Sequence, residues 1–405
     1  MQLRRAPSRR TLPKGAAFAA LAFAALLISA LVGISARVDA DDKWRLALDT
    51  LVYADGDDVT VVTPQTSVRY LLDEDGGEVR ARVGVDVVSA ASVDVIAQAT
   101  RGFREVRTDA TLGVSKAFGD WLPSFDYHLS TESDYLSNGG RLGLRARLGS
   151  PDTVLQLGYG FSSDLVGRRE SFDQQHESVR THRADVSLTQ ALGPRTLLRG
   201  AVTLTARSGF QSKPYRFVPL FDQAALDRAR ADGVELDRSS FAAYAINRVP
   251  ERVPDERVGV AMAGRLLHYV RALRGSLRLD YQVYLDSWGL VANTLEPAVT
   301  LGLSREWSLV AYGRVYLQGN ASFWRRTYVV QSAAPSPTIP TYRSLDRELS
   351  KFQTYTLGAR VEWTAPDARF AFFVDGAVAY SHYEQFLYLE ERVAFIGLAG
   401  VRWTP

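Results

Sequence analysis

Cysteine is absent from this chain of 405 residues, and lysine is scarce. Without thiols there is no structural disulfide, thiolate metal site, iron–sulfur cluster or covalently attached haem. The five lysines are Lys14, Lys43, Lys116, Lys213 and Lys351, so nearly all of the 48 basic side chains are arginine. The histidines, His128, His176, His182, His268 and His382, are too dispersed for a metal-ligand spacing. After residue 40 no apolar run approaches the roughly 20 residues of a spanning helix. The sequence therefore leads us to expect no cofactor and no metal.

What is present begins with a leader. Arg4, Arg5, Arg9, Arg10 and Lys14 precede an apolar run from Ala16 to Val32, and Val38-Asp39-Ala40 follows. That order is read as a secretory signal peptide over residues 1–40, leaving a mature chain of 41–405. Arg9-Arg10 also resembles a twin-arginine signal, but that route carries folded cargo. Residues 1–40 hold six basic side chains and one acid, so removing them takes the net charge from +3 to about −2. A nucleic-acid partner inferred from the pI of 9.0 is thereby excluded.

The mature chain alternates with period two. Tyr355, Leu357, Ala359, Val361 and Trp363 are interleaved with Thr354, Thr356, Gly358, Arg360 and Glu362. Val79, Ala81, Val83 and Val85 are interleaved with Arg80, Arg82, Gly84 and Asp86. A soluble sandwich also alternates. Here, however, one face carries charge along the whole chain while the other is almost free of it, as lipid contact requires. The expected fold is an all-β transmembrane antiparallel barrel of about sixteen strands in the bacterial outer membrane. Tight junctions such as Gly119-Asp120 and Gly193-Pro194 alternate with longer ones at 168–177, 211–255 and 325–350. The last of these reads as irregular and exposed.

Aromatics support the same layout. Trp44, Trp121, Trp307, Trp363 and Trp403 fall at strand ends beside tight junctions or termini, forming a candidate girdle at one membrane interface. Phe103, Tyr135, Phe161, Phe210, Trp288, Phe323 and Tyr380 fall near the opposite ends. Outer-membrane lipid and lipopolysaccharide are the expected surroundings. The final strand, with Val393, Phe395, Gly397, Ala399, Val401 and Trp403 on one face, resembles the C-terminal signal read by the barrel-assembly machinery.

The other face is the candidate lumen. Its charged residues include Arg45, Arg80, Arg82, Asp86, Arg145, Arg147, Arg278, Asp280, Arg314, Arg360, Glu362 and Arg402. Rows of guanidinium and carboxylate either select solutes by a transverse field or simply brace and solvate the wall. The stretch 211–255 is the candidate filler of the mouth, either as a constriction or as an outer cap. Within it Phe221 to Gly233 predicts one short helix ending at Gly233. Asp126, His128, Ser130 and Glu132 share one face of a strand, the nearest thing to a catalytic set. Any alternating polar strand yields such a set, and no enzyme is expected.

Asp57-Asp58-Val59-Thr60-Val61-Val62-Thr63-Pro64, then Asp86-Val87-Val88-Ser89-Ala90-Ala91-Ser92-Val93-Asp94, and Arg248-Val249-Pro250-Glu251-Arg252 stand out within this pattern. With the barrel alternation they resemble the bacterial domain-of-unknown-function family numbered 3570. The resemblance spans nearly all of the mature chain. It implies an outer-membrane barrel of a Gram-negative envelope and brings no substrate or catalytic residues. Three functions are compatible with the residues. The first is a porin-like pore for small hydrophilic solutes. The second is a non-conducting scaffold that sheathes or docks a periplasmic or cell-surface partner such as a redox protein. The third, least favoured, is a lumenal or surface hydrolase.

Overall fold

The computed structural model describes residues 43–90, 103–237, 239–331 and 338–404. The leader at 1–40 lies outside them. The first nine strands are β1 (Trp44–Asp55), β2 (Val59–Leu71), β3 (Glu78–Ala90), β4 (Phe103–Ser115), β5 (Trp121–Thr131), β6 (Tyr135–Arg147), β7 (Thr153–Gly167), β8 (His176–Gly193) and β9 (Thr196–Gly209). A long excursion then carries β10 (Phe217–Phe221), α1 (Gln223–Ala231), α2 (Phe241–Tyr244) and β11 (Asn247–Pro250). The wall resumes with β12 (Glu256–Val270), β13 (Gly275–Asp286), β14 (Val291–Gly302) and β15 (Trp307–Gln318). After the short β16 (Tyr328–Val329) it ends with β17 (Phe352–Thr364), β18 (Phe370–Tyr383) and β19 (Glu391–Trp403).

Sixteen of these strands close on themselves. Each pairs antiparallel with its neighbours, and β1 pairs with β19 from Leu46↔Trp403 to Asp55↔Ala394. Closure leaves no open edge, so every wall strand can satisfy its backbone in lipid. No helix among the described residues is long and apolar enough to cross a membrane, and the strands do the crossing. The outward set is strongly exposed: Leu112 and Leu142 are each 60% accessible, Val374 65% and Leu357 73%. Such a continuous apolar band would be ruinous in water and is what hydrocarbon demands. Both termini and the tight turns, such as Leu72–Gly77 and Leu303–Trp307, lie at one end, which is the periplasmic end in outer-membrane topology.

The other end is covered. The 211–255 excursion and the segment after β15 are joined by a small sheet in the order β11-β10-β16. β10 pairs antiparallel with β11, and in parallel with β16 through Leu220↔Tyr328 and Phe221↔Val329. The predicted helix is α1, whose N-cap Asp222 accepts from the Ala225 N–H at 2.7 Å. Gly233 follows the Asp232 C-cap with φ +65°, a conformation that favours glycine.

The cap has its own apolar core. Val218, Leu220 and Phe221 from the first segment meet Trp324, Tyr328, Leu345 and Leu349 from the second. Trp288 and Leu290 of the β13–β14 turn, and Phe386, Leu387 and Tyr388 of the β18–β19 loop, complete it. Three expectations change accordingly. The segment 325–350 is not simply exposed, since Tyr328, Val330, Leu345 and Leu349 are buried. The sequence alternation reads as a strand over 307–324, whereas β15 stops at Gln318, because Ala321 and Trp324 belong to the cap core. Trp288 and Phe323 pack edge to face in the cap at 5.4 Å instead of marking a second membrane interface.

Candidate functional site

On the inner, concave face, side chains of second-neighbour strands reach one another. The Arg80 guanidinium crosses β4 and donates to Asp126 on β5 at 2.7 and 2.8 Å. It passes over Gly113, where a Cβ would collide with both partners. The arrangement repeats on the next strands: Arg141 crosses β7 at Gly158 to donate to Asp185 on β8 at 2.8 Å. Glycine is required at these two points because only a bare backbone leaves room for the crossing guanidinium. Further round the wall, Asp280 takes both Arg265 at 2.5 Å and Arg278 at 3.1 Å, and Arg278 also reaches Glu296 at 2.6 Å. Toward the periplasmic end Glu362 holds Arg360 at 3.0 Å and Arg402 at 3.4 Å, while both guanidinium groups lie over the Phe373 ring.

The remaining lumen candidates take simpler positions. Arg82 lies 3.8 Å from Asp109, and Asp86 accepts from the Thr63 hydroxyl at 2.6 Å. Arg314 lies over Tyr316, Arg45 donates to the Trp44 carbonyl, and Arg145 and Arg147 stand beside Asp120 at a periplasmic turn. Of the tryptophans at that end, Trp44, Trp121 and Trp307 are exposed on the outer surface and Trp44 packs on Tyr70 at 4.9 Å. Trp363 packs on Phe372 at 5.6 Å, and Trp403 is buried. At the opposite end Tyr135 and Phe210 line an internal cavity rather than facing out.

The nearest thing to a catalytic set is dispersed among other partners. Asp126 is held by Arg80, His128 lies 3.3 Å from the Thr111 hydroxyl, and Ser130 accepts from Arg107 Nε at 2.8 Å.

A chamber lies where cap and wall meet. A cavity of about 930 Å³ is lined by residues of strands between β4 and β19 and by both cap segments. Glu105, Glu132, Asp134 and Asp164 occupy one arc, on β4 to β7 and the β5–β6 turn. Oxygens of Glu105, Glu132 and Asp134 lie within 4.8 Å of one another. Among the described residues the arginine lining that arc is Arg107, 3.5 Å from Glu132. Burial and the neighbouring Glu105 push the carboxyls of Glu132 and Asp134 up. The facing arc is different. There Tyr284, Tyr316, Phe352 and Tyr383 are flanked by Arg207 and Arg257 on one side and Arg392 on the other.

The cap is fastened above this cavity by charge. Arg216 bridges Asp346 at 2.5 Å and Glu251 at 3.3 Å, joining the two cap segments. Ser344 and the Lys213 N–H also donate to Glu251. At the rim Arg347 reaches Asp57 of the β1–β2 turn, beside β19, at 3.1 Å, and the Arg169 N–H of the β7–β8 loop donates to the Tyr215 hydroxyl at 2.6 Å. Sequence reasoning singled out the run 248–252 but not the partners of Glu251, which lie from 35 to 93 residues away in the chain.

A closed sixteen-strand barrel with a lipid-compatible exterior and a charged interior is an outer-membrane β-barrel. Within that class the chain belongs to the family described as "Protein of unknown function (DUF3570)", whose sequence model matches residues 93–375. The run at 248–252 falls inside the match, whereas 57–64 and most of 86–94 precede it. Among solved structures, the chain is similar to a bacterial polysaccharide outer membrane secretin at 8% identity, covering 91% of this chain and all of that one, with a TM-score of 0.49. It is also similar to the siderophore receptor PirA from Pseudomonas aeruginosa at 10% identity (TM-score 0.43), covering 90% of this chain and 62% of the receptor. OmpT, an outer membrane protein of Vibrio cholerae, matches at 10% identity over 89% of this chain and 98% of that one, with a TM-score of 0.43. No functionally curated protein matches the sequence.

Proposed function

We propose that the barrel is a channel for small hydrophilic solutes whose mouth is narrowed by the two-segment cap. The observation that carries this reading is the charged inner face leading to a 930 Å³ chamber with charged walls directly beneath the cap. A sixteen-strand barrel encloses an aqueous lumen unless something fills it. The residues below the cap are arginines and carboxylates, which solvate a water path and bias what enters it. The cap's apolar core sits on the β13–β19 side, while its contacts with the adjoining β1–β2 turn and with the β7–β8 loop are polar. It therefore acts as a flap held by apolar packing over β13–β19 and by releasable polar contacts elsewhere on the rim.

Planar-bilayer recording of the refolded protein tests this reading. Stepwise ionic conductance is expected, and Arg347→Gln, which removes the bridge to Asp57, raises the mean current. A barrel that stays electrically silent at all voltages, both as wild type and with Arg347→Gln, overturns it.

A further inference from the structure

The chamber is polarised in a way that a general water path does not need. Around the mouth the sequence of walls is acids on β4 to β7, Arg207 and Arg257 on β9 and β12, aromatic rings on β13 to β18, and Arg392 on β19. In the closed order of sixteen strands, β5 and β15 lie eight places apart, so the acid arc faces the aromatic arc across the lumen. Two buried donors bordering this space, Gln211 Nε2 and Arg392 Nε, have no acceptor. Arg207 is exposed and has no hydrogen-bond or ion-pair partner among the described residues. Buried donors without acceptors are uncommon in folded proteins and call for an oxygen that the chain itself does not supply. The acid arc is the negative counterpart, three crowded carboxylates with Arg107 beside Glu132 and Arg169 acting on Asp134.

We propose that the chamber is a binding site for a zwitterionic solute with an apolar body, of the class of short peptides with free ends. The ammonium end lies against Glu105, Glu132 and Asp134. The carboxylate end meets Arg207 and Gln211 on the β9 side, and the apolar body rests on Tyr316 and Phe352, whose rings are 5.4 Å apart. This deepens the channel reading by naming what the mouth selects. A solute bearing only one charge satisfies one arc and leaves the other unmatched, so discrimination comes from both ends together.

Calorimetric titration of the full chain, refolded in detergent, with trileucine tests this independently of conduction. Trileucine with free ends is expected to bind roughly tenfold or more tightly than its N-acetyl or C-terminal amide derivatives, since tenfold corresponds to loss of about 1.4 kcal/mol at one end. Glu105→Gln combined with Glu132→Gln narrows the gap to the N-acetyl form only, and Arg207→Gln narrows the gap to the amide only. Equal binding of all three forms, or no binding by any, overturns the inference. Conduction without this discrimination keeps the channel and removes the site, and discrimination in a silent barrel does the reverse.

Discussion

Single residues decide how the inner wall is braced. Gly158 faces the lumen under the Arg141–Asp185 bridge, whereas Gly264 has nothing within 4 Å of its Cβ position. Gly158→Leu is therefore expected to lower stability by about 1.5–3 kcal/mol, the worth of a charged hydrogen bond. Gly264→Leu is expected to be close to neutral. Urea unfolding followed by tryptophan fluorescence distinguishes them, and equal effects would remove the bracing role. The alternation of β6 and β8 made the facing of Arg141 and Asp185 legible in the sequence, because side-chain direction follows position parity. Their pairing was not legible. It skips a strand, and its geometry depends on an intervening glycine that looks like any other small residue in a strand.

At the level of elements, the wall strands were readable because each repeats a period-two pattern over ten or more residues. The cap was not. Phe217–Phe221 is a short run without alternation, and its partner β16 is two residues long, so neither carries a local signal. The cap is held instead by contacts distant in sequence, and these give two expectations. Replacing Arg216 with Met leaves Glu251 and Asp346 buried without their shared counter-charge, a loss of about 3–5 kcal/mol. Hydrogen exchange in residues 217–250 should accelerate while the wall strands stay protected.

The second concerns pH. Burial alone would raise the Asp346 carboxyl, but Arg216, with help from Lys213, overrides it and holds the group below its ordinary value. A carboxyl lowered by folding stabilises above its unfolded value of about 3.9 and loses that contribution as pH falls through the folded value. Acidification below about pH 4 is thus expected to loosen the cap before the strand ladder, seen as protease sensitivity confined to the cap. Loss of the wall and the cap together would contradict this.

For the whole molecule, the decisive property is which face meets which solvent. Leu357 is 73% accessible on the outer surface, and its neighbour Thr356 points inward. Leu357→Arg should cost about 2–4 kcal/mol in bilayers, the penalty for a charge near the midplane, and Thr356→Arg much less. Folding equilibria measured in lipid vesicles check the pair, and a reversed order would place the barrel inside out.

The parallel pairing of β10 with β16 also sets an order of events. β10 is made long before its partner, and the core they share needs Phe386, Leu387 and Tyr388 from between the last two wall strands. Contacts so distant in sequence form late, because the intervening chain must first be placed. The mouth is therefore uncovered while the wall is inserting, and the cap can settle only after β19 has taken its place beside β18 and met β1. During refolding, resistance of the cap to protease becomes a clock for closure of the seam, and a barrel left open at β1 carries a cap that never sets.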